Sequence, residues 1–204
     1  MRAVVTSGTE GYAEAAPMLL RKRLSFDETH DPILHLIPRE PAHILDIGSG
    51  PGHDAATLAE MGHSVVAAEP TPELLGGAIG LYGSERVAWI DDSLPRLQKV
   101  FSLGRRFAFI LTSGVWMHLD EAQRREAMPT VAKLLEPRGV LALSLRHGSV
   151  PPGRRMFDVS AAETMTSAEQ SGLATILNVD RNSVQAVNRA AGVTWTFLAF
   201  RRPA

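Results

Sequence analysis

The sequence predicts an α/β fold: a Rossmann-like, doubly wound, mostly parallel seven-stranded sheet with an antiparallel C-terminal hairpin strand and an N-terminal helical lid. Short runs rich in Val, Ile, Leu and Ala alternate with helix-like runs over most of the chain. That is the pattern of strands buried on both faces of a parallel sheet and joined by helical crossovers. A glycine run, ILDIGSGPGHDAA at 44–56, separates the first apolar run from a helix-like one. The last two β-like runs have no helix-like run between them, so they are expected to pair antiparallel.

The elements follow in order. Residues 10–36 read as two short helices broken near Ser25, forming a lid ahead of the first strand. HILDIG (43–48) is that strand, and 54–61 the helix after it. SVVAAE (64–69) and VAWID (87–91) are strands, separated by a helix over 72–82. A short helix near 95–101 leads to FAFILTS (107–113). A helix over 121–135 contains Pro129, which is expected to kink or split it because proline lacks the amide hydrogen. VLALSL (140–145), a helix over 161–171, TILNVD (175–180) and VTWTFLAF (193–200) complete the chain. Residues 1–204 thus read as one domain, with a lid at 10–36 and a core at 43–201.

Composition narrows the function classes. The net charge of −1 gives no global field for nucleic acid, and 6% aromatic residues supply few platforms for stacked bases. The absence of cysteine removes disulfides, thiolate metal sites and a cysteine nucleophile. Seven histidines include no His-x-x-x-His pair, so no metal is expected. No G-x-S-x-G signals a serine hydrolase. No apolar run reaches the roughly 18–20 residues that span a bilayer. MRAVVTSGTEG lacks the apolar stretch of a secretory signal. The expectations are a cytoplasmic protein with a small-molecule partner, no nucleic acid and no membrane. Composition sets no oligomeric state.

Ligands of open α/β sheets bind beyond the carboxyl ends of the strands, where the loop at 48–52 falls. Gly48, Gly50 and Gly52 permit positive φ and close approach of a ligand to the main chain. A dinucleotide fingerprint requires G-x-G-x-x-G, but His53 stands where the third glycine belongs. No Gly-Lys-Ser/Thr follows, so the P-loop pattern is absent too. Asp46 and Asp54 flank the loop and would repel an anion. An acidic loop of this kind suits a cationic ligand.

Asp46-Ile-Gly48-Ser49-Gly50-Pro-Gly52 resembles the D/E-x-G-x-G-x-G loop of the class I S-adenosylmethionine-dependent methyltransferases. VVAAEP ending its strand with Glu69, WIDDSLP with Asp91 and Asp92, and LLEPRGVLALSL follow in the order that family shows. WIDDSLP, SGVWMHL and LSLRHG further resemble a bacterial subgroup of small, stand-alone members. The resemblance covers roughly residues 40–200 and implies S-adenosylmethionine as cofactor, with S-adenosylhomocysteine as product. It places Gly48, Ser49, Gly50 and Gly52 against the cofactor, with Asp46 near its ammonium. Glu69, followed by Pro70, would accept from the ribose hydroxyls. Asp91 would accept from the adenine amine, with Asp92 competing for the role and Ser113 near the same ligand. WIDDSLP is one residue shorter than the usual run. GYAEAA resembles the tyrosine-bearing lead helix of many members, which implies that Tyr12 covers the cofactor.

The reaction implied is in-line methyl transfer to an oxygen or nitrogen of a small molecule. A neutral leaving group makes alignment and water exclusion the main requirements. His118 is the candidate to orient the acceptor or take its proton. Phe26, His30, Trp116, Arg146 and His147 are candidates to line the acceptor pocket, and Arg146 and His147 rank ahead of Arg154 and Arg155 because they leave a strand directly. Two other readings remain at this point: a non-catalytic cofactor- or nucleotide-binding protein, and an NAD-dependent oxidoreductase. Glu69, 19 residues after Gly50, does not separate the last of these from a methyltransferase.

Overall fold

The computed structural model describes residues 6–83 and 85–204, so the first five residues of the MRAVVTSGTEG stretch lie outside the described part. Seven strands form one sheet: β1 (His43–Ile47), β2 (Ser64–Ala68), β3 (Val87–Ile90), β4 (Phe107–Thr112), β5 (Leu135–His147), β6 (Ala174–Asn182) and β7 (Thr194–Arg201). Their order is β3-β2-β1-β4-β5-β7-β6. The first five run parallel, and β7 pairs antiparallel with both β5 and β6. The chain steps outward from β1 to β3 and then returns to the other side of β1 as β4. The switch point between β1 and β4 is where such a sheet opens a crevice.

Alternation along the strands divides the core between the two faces of the sheet. Leu45, Ile47, Val66, Ile110, Leu141 and Leu143 bury into one face. Ile44, Val65, Phe109, Leu111, Val140 and Ala142 bury into the other. Burial on both sides explains why these strands read as unbroken apolar runs.

The lid is α1 (Tyr12–Arg21) and α2 (Phe26–His30), continued by a 3-10 turn over Asp31–Leu36. The Ser25 hydroxyl accepts from the Glu28 amide at 3.2 Å and starts α2, so the break falls where a cap can form. α1 seats on α4 (Pro72–Tyr82). A Cβ at Gly77 would stand 2.4 Å from Leu20, so the glycine is what lets the lid helix come this close. α3 (His53–Glu60) follows the glycine loop, and α5 (Gln98–Ser102), α6 (Glu121–Leu134), α7 (Ala161–Gln170) and α8 (Ala186–Ala190) complete the helices.

Three details differ from expectation. Pro129 does not split α6, which runs unbroken through it from a capping box made by Asp120 and Gln123. The hairpin of β6 and β7 contains α8, a turn of helix too short to announce itself by periodicity. β5 begins at Leu135, five residues early, with a register shift against β4 that passes Arg138 at φ +64°.

Candidate active site

A cavity of about 280 Å³ opens over the carboxyl ends of β1, β2 and β4, under the segment that leads into α1. Tyr12, Asp46, Gly48, Ser49, Gly50, Glu69, Pro70, Asp92, Ser113 and His118 all line it. His53 and Asp54 of the glycine run line it as well, as do Thr6–Thr9, Thr29 and Thr71, which no motif marks.

The glycine loop is held by its own amides. Gly48 and Ser49 both donate to the Ala68 carbonyl, at 2.7 and 3.1 Å. Gly50 donates to Glu69 Oε2 at 2.9 Å, and Gly52 donates to the Ser49 carbonyl at 2.9 Å. Gly48 has φ +68°, and a Cβ there would stand 2.5 Å from Val115. At Gly50, with φ +55°, a Cβ would meet nothing closer than 3.9 Å. The loop therefore presents a bare main chain to the cavity while its donors are already engaged. A phosphate would find no free amide cradle in this loop and would face Asp46, Asp54 and Glu69.

Asp46 is 2% exposed, and its Oδ2 has no hydrogen-bond partner. Burial raises its carboxyl well above the usual range, and the neighbouring Asp54 and Glu69 add to that, while the Ala55 amide opposes it. The Ser49 hydroxyl is likewise buried without a partner. Two orphaned groups, one of them an acid, thus stand beside an open stretch of backbone. Glu69 accepts from the Thr71 amide at 2.7 Å and from Gly50, one bond per oxygen. Burial raises its carboxyl, and the bonds from Thr71 and Gly50 counteract this. A carboxylate offers about four acceptor sites, so acceptor capacity remains for a ligand. Asp92 is similar: its oxygens accept from the Ser93 and Val100 amides, each at 2.9 Å.

Across the cavity, His118 Nδ1 lies 2.7 Å from the Arg155 carbonyl, which only accepts, so Nδ1 carries the proton. Nε2 then accepts from the Tyr12 hydroxyl at 2.9 Å. Burial lowers the affinity of His118 for a second proton; the Arg155 carbonyl opposes this, and the Arg154 cation adds to it. Burial also raises the Tyr12 phenol, while Arg154 pulls it down. The Arg154 guanidinium lies 3.5 Å from the centre of the Tyr12 ring. Arg155 donates to Asp120, Ser7 and Gln123, tying the loop after β5 to the start of the lid and of α6.

Several candidates sit elsewhere. Asp91 points out of the cavity into an exposed ion pair with Lys99 at 3.0 Å, while its neighbour Asp92, just past the end of β3, turns in. Gly52 is the left-handed residue that starts α3; a Cβ on it would meet Trp89 and Ala78, not the cavity. Trp116 is 1% exposed within the core and is not a pocket wall. Phe26 packs in the opposite core and against the His30 ring. His30 is fully buried and bonds Asp54 at 2.9 Å. Arg146 turns back to the Ser149 carbonyl, and His147 bonds Thr196. Arg154 lies over the Tyr12 ring and Arg155 donates to the His118 carbonyl, while Arg146 also acts electrostatically on Tyr12. No cluster of metal-ligating side chains occurs among the described residues.

Comparison with known proteins gives the family. A family model described as a methyltransferase domain matches residues 18–193. The chain belongs to that family, the class I S-adenosylmethionine-dependent methyltransferases. An uncharacterised methyltransferase of Mycobacterium tuberculosis is 30% identical over 115 residues, covering 53% of this chain and 41% of that protein. A ubiquinone biosynthesis O-methyltransferase of Rhizobium etli is 30% identical over 104 residues, covering 51% and 41%. The chain thus spans less than half the length of these curated relatives. The N-methyltransferase NodS of Bradyrhizobium japonicum, solved with S-adenosylhomocysteine, superposes with a TM-score of 0.71 over 95% of this chain and 99% of that one, at 20% identity. That likeness is one of fold. No helix among the described residues is long and apolar enough to cross a membrane.

Proposed function

We propose that the chain transfers a methyl group from S-adenosylmethionine to a nitrogen or oxygen of a small molecule. The observation that carries this reading is the acidic cavity with a bare, pre-engaged glycine loop and an orphaned, buried Asp46 oxygen. It suits a ligand with a cationic end and a neutral nucleoside, and it is poorly built for a pyrophosphate. That argues against the dinucleotide alternative that Glu69 alone leaves open.

In this reading Asp46 and the Ser49 hydroxyl take the ammonium end, and Gly48 and Gly50 give the ligand close access to backbone. The remaining acceptor capacity of Glu69 takes the ribose diol, with Pro70 beside it. Asp92 takes the adenine amine in place of Asp91. When bound, the cofactor supplies a methyl group already activated by its sulfonium. The chain then has to align the acceptor and exclude water. Tyr12, from the lid, closes the cavity, and His118 holds its hydroxyl in place. Because Tyr12 caps Nε2, His118 receives a proton from the acceptor only by way of the Tyr12 hydroxyl. The relatives include both an O- and an N-methyltransferase, so they leave the acceptor atom open.

Labelled S-adenosylmethionine offered with a panel of amines, phenols and carboxylates tests the reading. The expected result is labelled product from one class, with stoichiometric S-adenosylhomocysteine. Cofactor binding without turnover on any class would instead favour a non-catalytic binding protein.

A further inference from the structure

A second chamber of about 150 Å³ adjoins the cofactor cavity, and Ser113 and Thr29 line both. Trp195 of β7, half-buried, lines this chamber. The far edge of its indole comes within 3.6 Å of where a Cβ on Gly114 would sit, and Gly114 lines the first cavity. The indole therefore stands at the junction, beyond the end of β4. Phe197, 7% exposed, extends its apolar wall.

Most polar groups in the chamber are already engaged. Asp31 pairs with Arg181 at 2.8 Å, Gln185 accepts from the Lys22 ammonium, and Ser144 accepts from the Gly114 amide at 2.9 Å. The Glu28 carboxylate and the Ser113 hydroxyl, like the Asn182 amide, have no side-chain partner among the described residues. An exposed glutamate lining the chamber, an indole at the junction and a serine shared with the cofactor cavity make a consistent set. A carboxylate and an aromatic face both attract a cation carried on an apolar body. A hydroxyl at the junction accepts from an N–H and orients the nitrogen.

We infer, resting on the methyl-transfer reading above, that this chamber holds the acceptor and that the acceptor is a primary or secondary amine on an aromatic or apolar body. The ammonium form binds between Glu28 and Trp195 and gives up one proton to water before transfer. The freed nitrogen lone pair forms the C–N bond, the C–S bond breaks, and its electron pair stays on sulfur as a neutral thioether. The methylated nitrogen is left as an ammonium ion. None of Phe26, His30, Trp116, Arg146 and His147 lines this chamber.

The test is calorimetry on the full chain saturated with S-adenosylhomocysteine, titrated with benzylamine, benzyl alcohol and benzoate. The amine should bind at least about tenfold more tightly than the other two, a difference of about 1.4 kcal/mol. Glu28→Gln, at an exposed position on a short helix, should erase that preference, and Trp195→Ala should weaken the amine. Equal binding of the three probes, preference for the alcohol or the carboxylate, no binding of the amine, or an undiminished preference in Glu28→Gln would overturn the inference. Failure of S-adenosylhomocysteine itself to bind would instead overturn the reading on which it rests.

Discussion

Asp46 carries two opposed costs. Burial holds its carboxyl above the ordinary range, so the folded chain retains a proton that the unfolded chain releases. Stability from this residue therefore falls as pH rises from the ordinary carboxylate range through its folded value. A bound ammonium reverses the balance, so cofactor affinity should rise over the same window. Asp46→Asn should raise the melting temperature of the free protein near neutral pH. It should also weaken S-adenosylhomocysteine by about 1.5–3 kcal/mol, the usual cost of losing hydrogen bonds to a charged group. Melts and calorimetry from about pH 4 to 8 check both signs. His118 works the other way, because its folded pKa is depressed below the ordinary 6.5. Its contribution is full above that value and is lost as pH falls through the folded pKa. Tyr12→Phe should cost about 1 kcal/mol in urea unfolding by leaving Nε2 unpaired. An unchanged midpoint would show that the bond contributes nothing.

Among the elements, the loop after β5 and the lid behave as one fastening. Arg155 reaches Asp120, Ser7 and Gln123, and Arg154 covers Tyr12 and donates to the Glu10 carbonyl. Arg155→Ala should leave the sheet intact and free the lid. The expected outcome is severalfold faster proteolysis near the start of α1 and a lower kcat/KM, with little change in global unfolding. Gly11→Ala should loosen the same fastening from the other side, since its Cβ would stand 2.7 Å from the Gly153 carbonyl at φ +74°. This fastening was not legible in the sequence. Tyr12 and His118 are 106 residues apart, and Arg155 and Ser7 are 148 apart. No local pattern encodes which arginine crosses that distance. Pro129 misled for a related reason: the capping box and the packing of α6 against its neighbours override the missing amide.

For the whole molecule, the order of elements was legible because the central strands bury two faces and announce themselves as apolar runs. The glycine loop was legible because its backbone angles demand glycine. Side-chain direction was less so. The shortened WIDDSLP turn left Asp91 and Asp92 as rivals, and only the folded register sends Asp91 to Lys99 and Asp92 to the cavity. Trp116, Phe26 and His30 lie near the site in sequence, but apolar area draws the two aromatics into the core and His30 is turned to Asp54. Phe109 sits under the switch point, fully buried. Phe109→Ala should cost about 3–5 kcal/mol in urea unfolding. A smaller cost would mean that the sheet does not rest on this packing. The central claim is that the glycine-loop cavity selects a sulfur nucleoside with an ammonium end over a pyrophosphate-bearing one. Competitive calorimetry on the full chain, with S-adenosylhomocysteine against NAD, tests it most directly. The account predicts single-site binding of S-adenosylhomocysteine that NAD does not displace. Displacement by NAD, or binding of NAD alone, would contradict it.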